Sequence, residues 1–533
     1  MKKILCLFFS CFIIFSFCAC SDSDNEPENQ IINYNIDNEP FTLDPQIADD
    51  SGARLIILNI FEGLVRLDEN SSAVPGVAEN WDISSDGTVY TFYLRDDACW
   101  NDGTGVTADD FVFGITRTLL PETKSPTAST LFCIKNAEGV YNGTISSELL
   151  GITAINEHTL KIELEYSYAE FLELLATAPA MPCNKAFFEQ SAGQYGRDDD
   201  MILSNGAFYV RGSSWSHGEY IYLRKNSYYS GEDTPIPAGV NITIGAAPED
   251  VCQSISDGII DCYSLPSSEV SNAQELGFNI TSFGDTVWGI AFNTQNEALQ
   301  NKNIRCGLLS SLDRDFILES VPENCSTVSD IILDNAKIDG KSYRSLVQDN
   351  LYIKYSDNAK ITLQKGLNQL KLESLPKLTI LCTDDEATQS IVNNIIETWN
   401  KLTGNYINKT PVTRSELNNY IDSGNYQVII APLIVDGESP VDTLELFKST
   451  NSNNVARLSD NTYDSYINTI TKQPDSSTLD TILEAEKYIN DNGIFYPLYM
   501  ENRYYASAEN VTGIIFHPYN AEADFFYATK IPD

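Results

Sequence analysis

The chain has 533 residues, 42% of them hydrophobic, 11% aromatic and 20% charged, with 75 Asp+Glu against 34 Lys+Arg and a net charge of -41. This composition excludes a collagen-like, disordered or polytopic membrane protein, and the length corresponds to about three or four domain-sized units. So acidic a surface repels phosphate backbones, and no nucleic-acid partner is expected. Most of the carboxylates are read as a solvated surface.

Met1-Lys2-Lys3 is a short basic start, and residues 4–17 are apolar apart from Ser10 and Ser16. That run is shorter than the about 20 residues needed to cross a bilayer and reads as the apolar region of a signal peptide. Phe17-Cys18-Ala19-Cys20 resembles a bacterial lipobox, with Phe17 in place of the usual Leu. The reading makes Cys20 the lipidated first residue of the mature protein. The alternative is a Cys-rich leader, with Cys6, Cys11 and Cys18, that is cleaved elsewhere. Residues 21–30 contain four acids, no base and no large apolar side chain, as a solvated tether would. Removal of residues 1–19, which carry Lys2 and Lys3 and no acid, leaves 514 residues and moves the charge from -41 to -43.

Beyond the tether, strands and helices alternate. Residues 89–95 place Tyr90, Phe92 and Leu94 on one face, and residues 159–165 place Leu160, Ile162 and Leu164 on one face, as half-exposed strands do. Between them, Thr107-Ala108-Asp109-Asp110 predicts a capping box, and Phe111, Val112, Ile115 and Leu119 continue at helical spacing. Ile304, Leu308 and Leu312 predict a second helix, and Ile391, Ile395, Trp399 and Leu402 a third. Val428-Ile429-Ile430-Ala431, between Gly424 and Pro432, reads as a buried strand. Leu479, Ile482 and Ile489 mark a late helix, and residues 494–499 a late strand. Mixed order of this kind predicts an α/β or α+β protein with several sheets. There is no internal repeat and no long linker after residue 30.

Enzyme signatures are missing: the chain has no phosphate-binding glycine loop, no G-x-S-x-G and no H-E-x-x-H. Only three His are present, His158, His217 and His517. Each is read as a surface loop residue rather than a catalytic base. Eight cysteines besides Cys20 survive cleavage, scattered and without a C-x-x-C pair, so neither a metal nor a cofactor is implied. Cys252 and Cys262 are the nearest pair, and spacing leaves open whether they join.

Leu43-Asp44-Pro45 alone is a turn signal. It is followed by Phe61-Glu62-Gly63-Leu64, by Pro75-Gly76-Val77-Ala78-Glu79-Asn80-Trp81, and by Asp86-Gly87-Thr88-Val89-Tyr90-Thr91-Phe92 with Leu94-Arg95. Trp100-Asn101-Asp102-Gly103-Thr104, Ser204-Asn205-Gly206-Ala207-Phe208, Asp257-Gly258-Ile259-Ile260-Asp261, Leu312-Asp313-Arg314-Asp315 and Pro497-Leu498-Tyr499 complete the series. In order and spacing the set resembles the peptide-binding family of solute-binding proteins of ABC transporters. The likeness covers nearly the whole mature chain, and most of these residues are turns, caps or core rather than ligand contacts.

The resemblance implies an α/β, two-lobed fold of the periplasmic-binding-protein type, with a hinge between the lobes and an extra inserted domain. It implies a discontinuous first lobe of residues 31–62, 199–283 and 505–533, an inserted domain of 63–198 and a second lobe of 284–504. It also implies a monomeric receptor without catalytic residues, anchored by lipidated Cys20 outside the cell membrane. This receptor takes a short peptide or related small molecule and hands it to the transmembrane subunits of an ABC permease. In the family the peptide is held as an added strand. The matching positions are Asp49 and Ser51 on one side and Pro432, Leu433 and Ile434 on the other. Asp436 matches the carboxylate that receives the ligand's ammonium. Three positions depart from the family pattern: Leu433 stands in place of Trp, Gly437 in place of an aromatic, and Ile430 where a basic residue can meet the ligand's carboxylate. Glu438 is a second acid beside the site. A non-peptide ligand (a metal chelate, sugar or amine) and a surface peptide sensor remain alternatives, and a surface hydrolase is disfavoured by the missing motifs.

Overall fold

A computed structural model describes residues 31–531, apart from residues 70, 169, 232, 323–324, 329, 348–351, 405–406, 436, 438, 473–474 and 518–521. The leader and tether with Cys20, and the two acids Asp436 and Glu438, therefore lie outside the described residues.

Three sheets organise the α/β fold. The first is five-stranded: Ile31–Ile36 pairs in parallel with Gly239–Ile244, followed by Tyr220–Lys225 and Phe208–Tyr209, with Trp215–Ser216 also on Tyr220–Lys225. The second is an antiparallel four-stranded sheet in the order Ala78–Ile83, Val89–Leu94, Thr159–Glu163, Ile152–Asn156. Its two inner strands are those expected from alternation. Tyr90, Phe92, Leu160 and Ile162 are buried, and their neighbours along each strand are partly exposed. The helix Ala108–Leu119 begins where the capping box predicts, with the Thr107 N–H donating to Asp110 Oδ2 at 2.8 Å.

The third sheet has seven strands and runs Cys262–Leu265, Phe495–Ser507, Asn279–Phe292, Val428–Ile434, Thr379–Thr383, Asn408–Val412, with Cys325–Thr327 on the middle of Phe495–Ser507. Phe495–Ser507 and Asn279–Phe292 have 13 and 14 residues and pair antiparallel along most of their length. The helix Glu386–Thr403 packs Ile391, Ile395 and Trp399 into this half of the molecule, all fully buried. Lys302–Leu309 ends before Leu312, which is buried in the turn that follows.

Burial follows the two lobes. One core joins the five-stranded and four-stranded sheets, from Ile32 and Ile242 through Trp100, Phe111 and Leu160 to Phe525. A second lies around Ile290, Ile380, Ile430, Tyr463 and Leu498. A small third cluster, with Val251, Ile255, Leu265 and Ala506, sits against the ends of the long strands.

The ordered motifs meet one another in space. Glu62 accepts from Arg95 Nη2 at 2.8 Å, and its backbone is bonded in both directions by the Asn205 amide. Asp44 pairs with Arg117, which also donates to Gln46 Oε1 at 2.8 Å. Asp261 accepts from the Asn33 backbone N–H at 2.7 Å and pairs with Lys530 at 2.9 Å. Arg314 donates to the carbonyls of Pro497 at 2.6 Å and Leu498 at 2.9 Å.

The histidines divide. His158 and His217 occupy turns, as expected. His517 does not: it ends the strand Ile515–His517, is 6% exposed, and neither ring nitrogen has a hydrogen-bond partner among the described residues. The Pro518 that follows suggests a loop, but pairing with Glu522–Asp524 carries the ring into the core. The eight described cysteines are free thiols, Cys252 and Cys262 among them. No helix among the described residues is long and apolar enough to cross a membrane.

Candidate functional site

The helix Ser51–Ile60 turns its apolar side inward, with Leu55, Ile56, Ile57 and Ile60 buried. Asp50 caps it, accepting from the Ala53 N–H at 2.7 Å. That cap fixes its neighbours. Asp49 precedes it and Ser51 opens the helix, both exposed. Arg54 Nη1 donates to the Asp49 carbonyl at 2.5 Å and closes the turn.

The strand Val428–Ile434 pairs along its whole length with Asn279–Phe292, from Phe292 opposite Val428 to Thr286 opposite Ile434. On its other side the parallel partner Thr379–Thr383 meets it only at Val428 and Ile429. On its far side that partner pairs over five residues with Asn408–Val412. From Ile430 to Ile434 this side has no strand partner among the described residues. It is a short open backbone edge at the carboxyl end of the strand, where ligands of open α/β sheets are commonly met. Pro432 has no N–H, so one donor is missing from this strand. Leu433 and Val435 are buried at 1% and 3% exposure, whereas Ile434 is 47% exposed. Of the three expected strand contacts, Leu433 thus faces the core, and only its backbone is available at the edge.

Downstream, Ser439 caps the helix Pro440–Glu445, and its backbone N–H donates to Asp442 Oδ2 at 3.0 Å in a capping box. A Cβ on residue 437 would collide with the Asp442 carboxylate. Any larger residue at position 437, the aromatic of the family pattern included, needs the Asp442 side chain to shift. Asp436, between Val435 and Gly437, is outside the described residues.

A cavity of about 480 Å³ has a lining that includes Trp288, Tyr499, Thr383, Asp384, Arg414 and Glu501. Trp288 is the register partner of both Pro432 and Tyr499. Its ring stacks on Tyr499 with centroids 6.1 Å apart and planes 16° apart. The Trp288 indole N–H donates to Glu501 Oε2 at 2.7 Å, and Arg414 Nη1 donates to Glu501 Oε1 at 2.8 Å. Burial raises the Tyr499 phenol pKa well above its ordinary value. Cys325, on the cavity rim, is pushed up to about 11, chiefly by burial and then by the Glu501 carboxylate. Sequence reading missed Trp288, Arg414 and Glu501 as site residues, because nothing local distinguishes them. Pairing of distant strands brings them together.

A larger cavity, about 1050 Å³, lies elsewhere, around Glu62, Arg66, Arg95 and Tyr229. Several of its polar groups already have partners: Tyr229 OH donates to Glu62 at 2.5 Å, and Arg66 faces Asp524, outside the lining, at 3.7 Å. No cluster of three or more His, Cys, Asp or Glu that could hold a metal occurs among the described residues.

Comparison with known proteins agrees with this architecture. The chain is 29% identical over 502 residues to the oligopeptide-binding protein OppA of Bacillus subtilis (strain 168), covering 91% of this chain and 90% of that one. It is 28% identical to the periplasmic murein peptide-binding protein MppA of Escherichia coli (strain K12), covering 89% and 88%. The solved structure of the Escherichia coli murein tripeptide binding protein MppA superposes with a TM-score of 0.69 at 25% identity, over 95% of this chain and 99% of that one. Residues 72–454 match the family described as "Bacterial extracellular solute-binding proteins, family 5 Middle". With residues 72–454 matched to the family and most of its length matched to these relatives, the chain belongs to the bacterial extracellular solute-binding proteins of family 5.

Proposed function

We propose that this protein is the lipid-anchored receptor of an ABC importer, that it binds short peptides and that it performs no covalent chemistry. The observation that carries the peptide reading is the unpaired edge from Ile430 to Ile434. An extended peptide laid there completes the sheet through backbone hydrogen bonds, which are indifferent to side-chain identity. Asp49 and Ser51, exposed at the start of the Ser51–Ile60 helix, meet the peptide from the first lobe. Asp436, one residue beyond buried Val435, receives its ammonium through a charge-assisted hydrogen bond.

The first lobe comprises residues 31–62, 199–283 and 505–533, with 63–198 inserted, and the second lobe comprises 284–504. The crossing strands run through these limits, and their register breaks between Gly284 and Thr286. Closure turns about that point. The ligand favours the closed form because only there does it touch both lobes. The loaded receptor then docks on its permease. Relatives named for oligopeptide and murein peptide binding support the ligand class.

The test is calorimetry of the purified protein, unfolded and refolded to remove retained ligand, against a diverse set of di- to pentapeptides. Saturable binding by free-amine peptides is expected. At a hundredfold excess over Kd, one-site linkage adds about 2.7 kcal/mol of stability, so melting should rise with the same peptides. If no member of the set binds or shifts melting, the ligand is not a peptide.

A further inference from the structure

Arg414 is the first residue of the helix Arg414–Ser423. A cation there faces the positive end of its own helix dipole, so the helix does not account for its position. Two groups outside the helix do. Glu501 accepts its Nη1 at 2.8 Å, and the guanidinium carbon stands 5.2 Å from the centre of the Trp288 ring. Glu501 also accepts the Trp288 indole N–H at 2.7 Å, which fixes the ring for that contact. Trp288 and Glu501 thus form a seat for a guanidinium, and the protein's own arginine occupies it.

That arginine is replaceable. The Arg414 and Glu501 side chains are 54% and 34% exposed, and ion pairs so open to water contribute little stability. A cation from a ligand could bring its own aromatic contact and ion pair at little cost. Room exists for it, because the seat forms one end of the 480 Å³ cavity. Asp384, Asp385 and Glu386 also line that cavity, and Arg414 is the one base among its described lining residues. The seat is one strand away from the open edge: Trp288 is the cross-strand partner of Pro432 on its paired side, and neighbouring strands are about 4.8 Å apart.

We propose that the Trp288–Glu501 seat takes the cationic side chain of a bound peptide, displacing Arg414, and so selects peptides containing lysine or arginine. The inference rests on the peptide reading above and adds the side-chain class. Arg414 acts as an internal competitor that keeps the seat filled when no basic residue enters.

The experiment is calorimetry with trialanine and with tripeptides carrying lysine, norleucine or glutamate in turn at each position. Norleucine is a straight side chain without the charge. At one position the lysine peptide should bind about tenfold or more tighter than its norleucine counterpart. Glu501→Gln should remove most of that ratio. Arg414→Ala, a substitution at an exposed position, should increase it by freeing the seat, and this second variant decides the matter if Glu501→Gln fails to fold. Equal binding of lysine and norleucine peptides at every position overturns the inference. So does tighter binding of a glutamate peptide, which would make Arg414 the ligand contact, or a lysine preference that survives Glu501→Gln. If trialanine and all its variants fail to bind, the peptide reading fails and this inference with it. If they bind without charge preference, only this inference fails.

Discussion

Arg95 Nη2 donates to Glu62 Oε2 at 2.8 Å, with the Glu62 side chain 4% exposed and that of Arg95 13%. The two residues stand in separate motifs of the sequence. Their contact ties the end of the first helix to the four-stranded sheet. Arg95 also donates from Nε to the Gly76 carbonyl at 2.9 Å.

Glu62→Ala should therefore destabilise the first lobe. Removing one partner of a buried pair strands the other, typically at about 3–5 kcal/mol. Chemical denaturation followed by tryptophan fluorescence should show the transition at lower denaturant. Glu62→Gln, which keeps the shape and can still accept from Arg95, should lose less. An unchanged transition in both variants would mean that the contact contributes nothing.

Asp436→Asn tests the ammonium anchor. Breaking a hydrogen-bonded charge pair in a binding site costs about 2–5 kcal/mol, so a free-amine peptide should bind about 30-fold more weakly or worse. Its N-acetylated form should bind wild type poorly and lose little more on mutation. Equal weakening of both peptides would make Asp436 structural and place the anchor elsewhere.

His517 should give the first lobe a pH dependence. Burial, outweighing the neighbouring carboxylates of Asp524 and Asp68, lowers its pKa below the ordinary value, and Arg66 lowers it further. The unfolded chain then binds the proton more readily than the folded one. Stability is fully present above the unfolded pKa near 6.5 and falls as pH drops below it, by at most about 1.4 kcal/mol per pH unit. Melting temperatures of wild type and His517→Gln between pH 5 and 8 (about the range in which histidine titrates) should diverge in slope, with the wild type the steeper. Parallel curves would show that His517 does not titrate differently on folding.

Cys20→Ala should abolish incorporation of labelled palmitate and release the protein from membranes. Stable anchoring requires about two acyl chains or their equivalent, and the acidic tether of residues 21–30 offers no electrostatic substitute. Retention of the variant on membranes after salt and alkali washing would refute the lipobox reading.

Much of the fold was legible because its signals are local. Alternation placed Val89–Leu94 and Thr159–Glu163, the Thr107–Asp110 capping box placed the helix Ala108–Leu119, and the run from Val428 marked a buried strand. Each depends on residues within a few positions of one another. The ordered motifs carried the family for a related reason: Glu62, Arg95 and Asn205 form one joint, so all three residue types are needed wherever that joint is built.

What the sequence by itself determined was the mixed α/β class and the two-lobed family. Tertiary structure decided which edge of the Val428–Ile434 strand stays open, because that depends on where pairing with the distant Thr379–Thr383 strand stops, after Ile429. It also decided that His517 is buried, since a cross-strand partner outweighs the loop signal of Pro518. Trp288, Arg414 and Glu501 lie more than eighty residues from one another in the chain. Only the pairing of two long strands, with a helix start delivered beside them, makes the three into a cation seat.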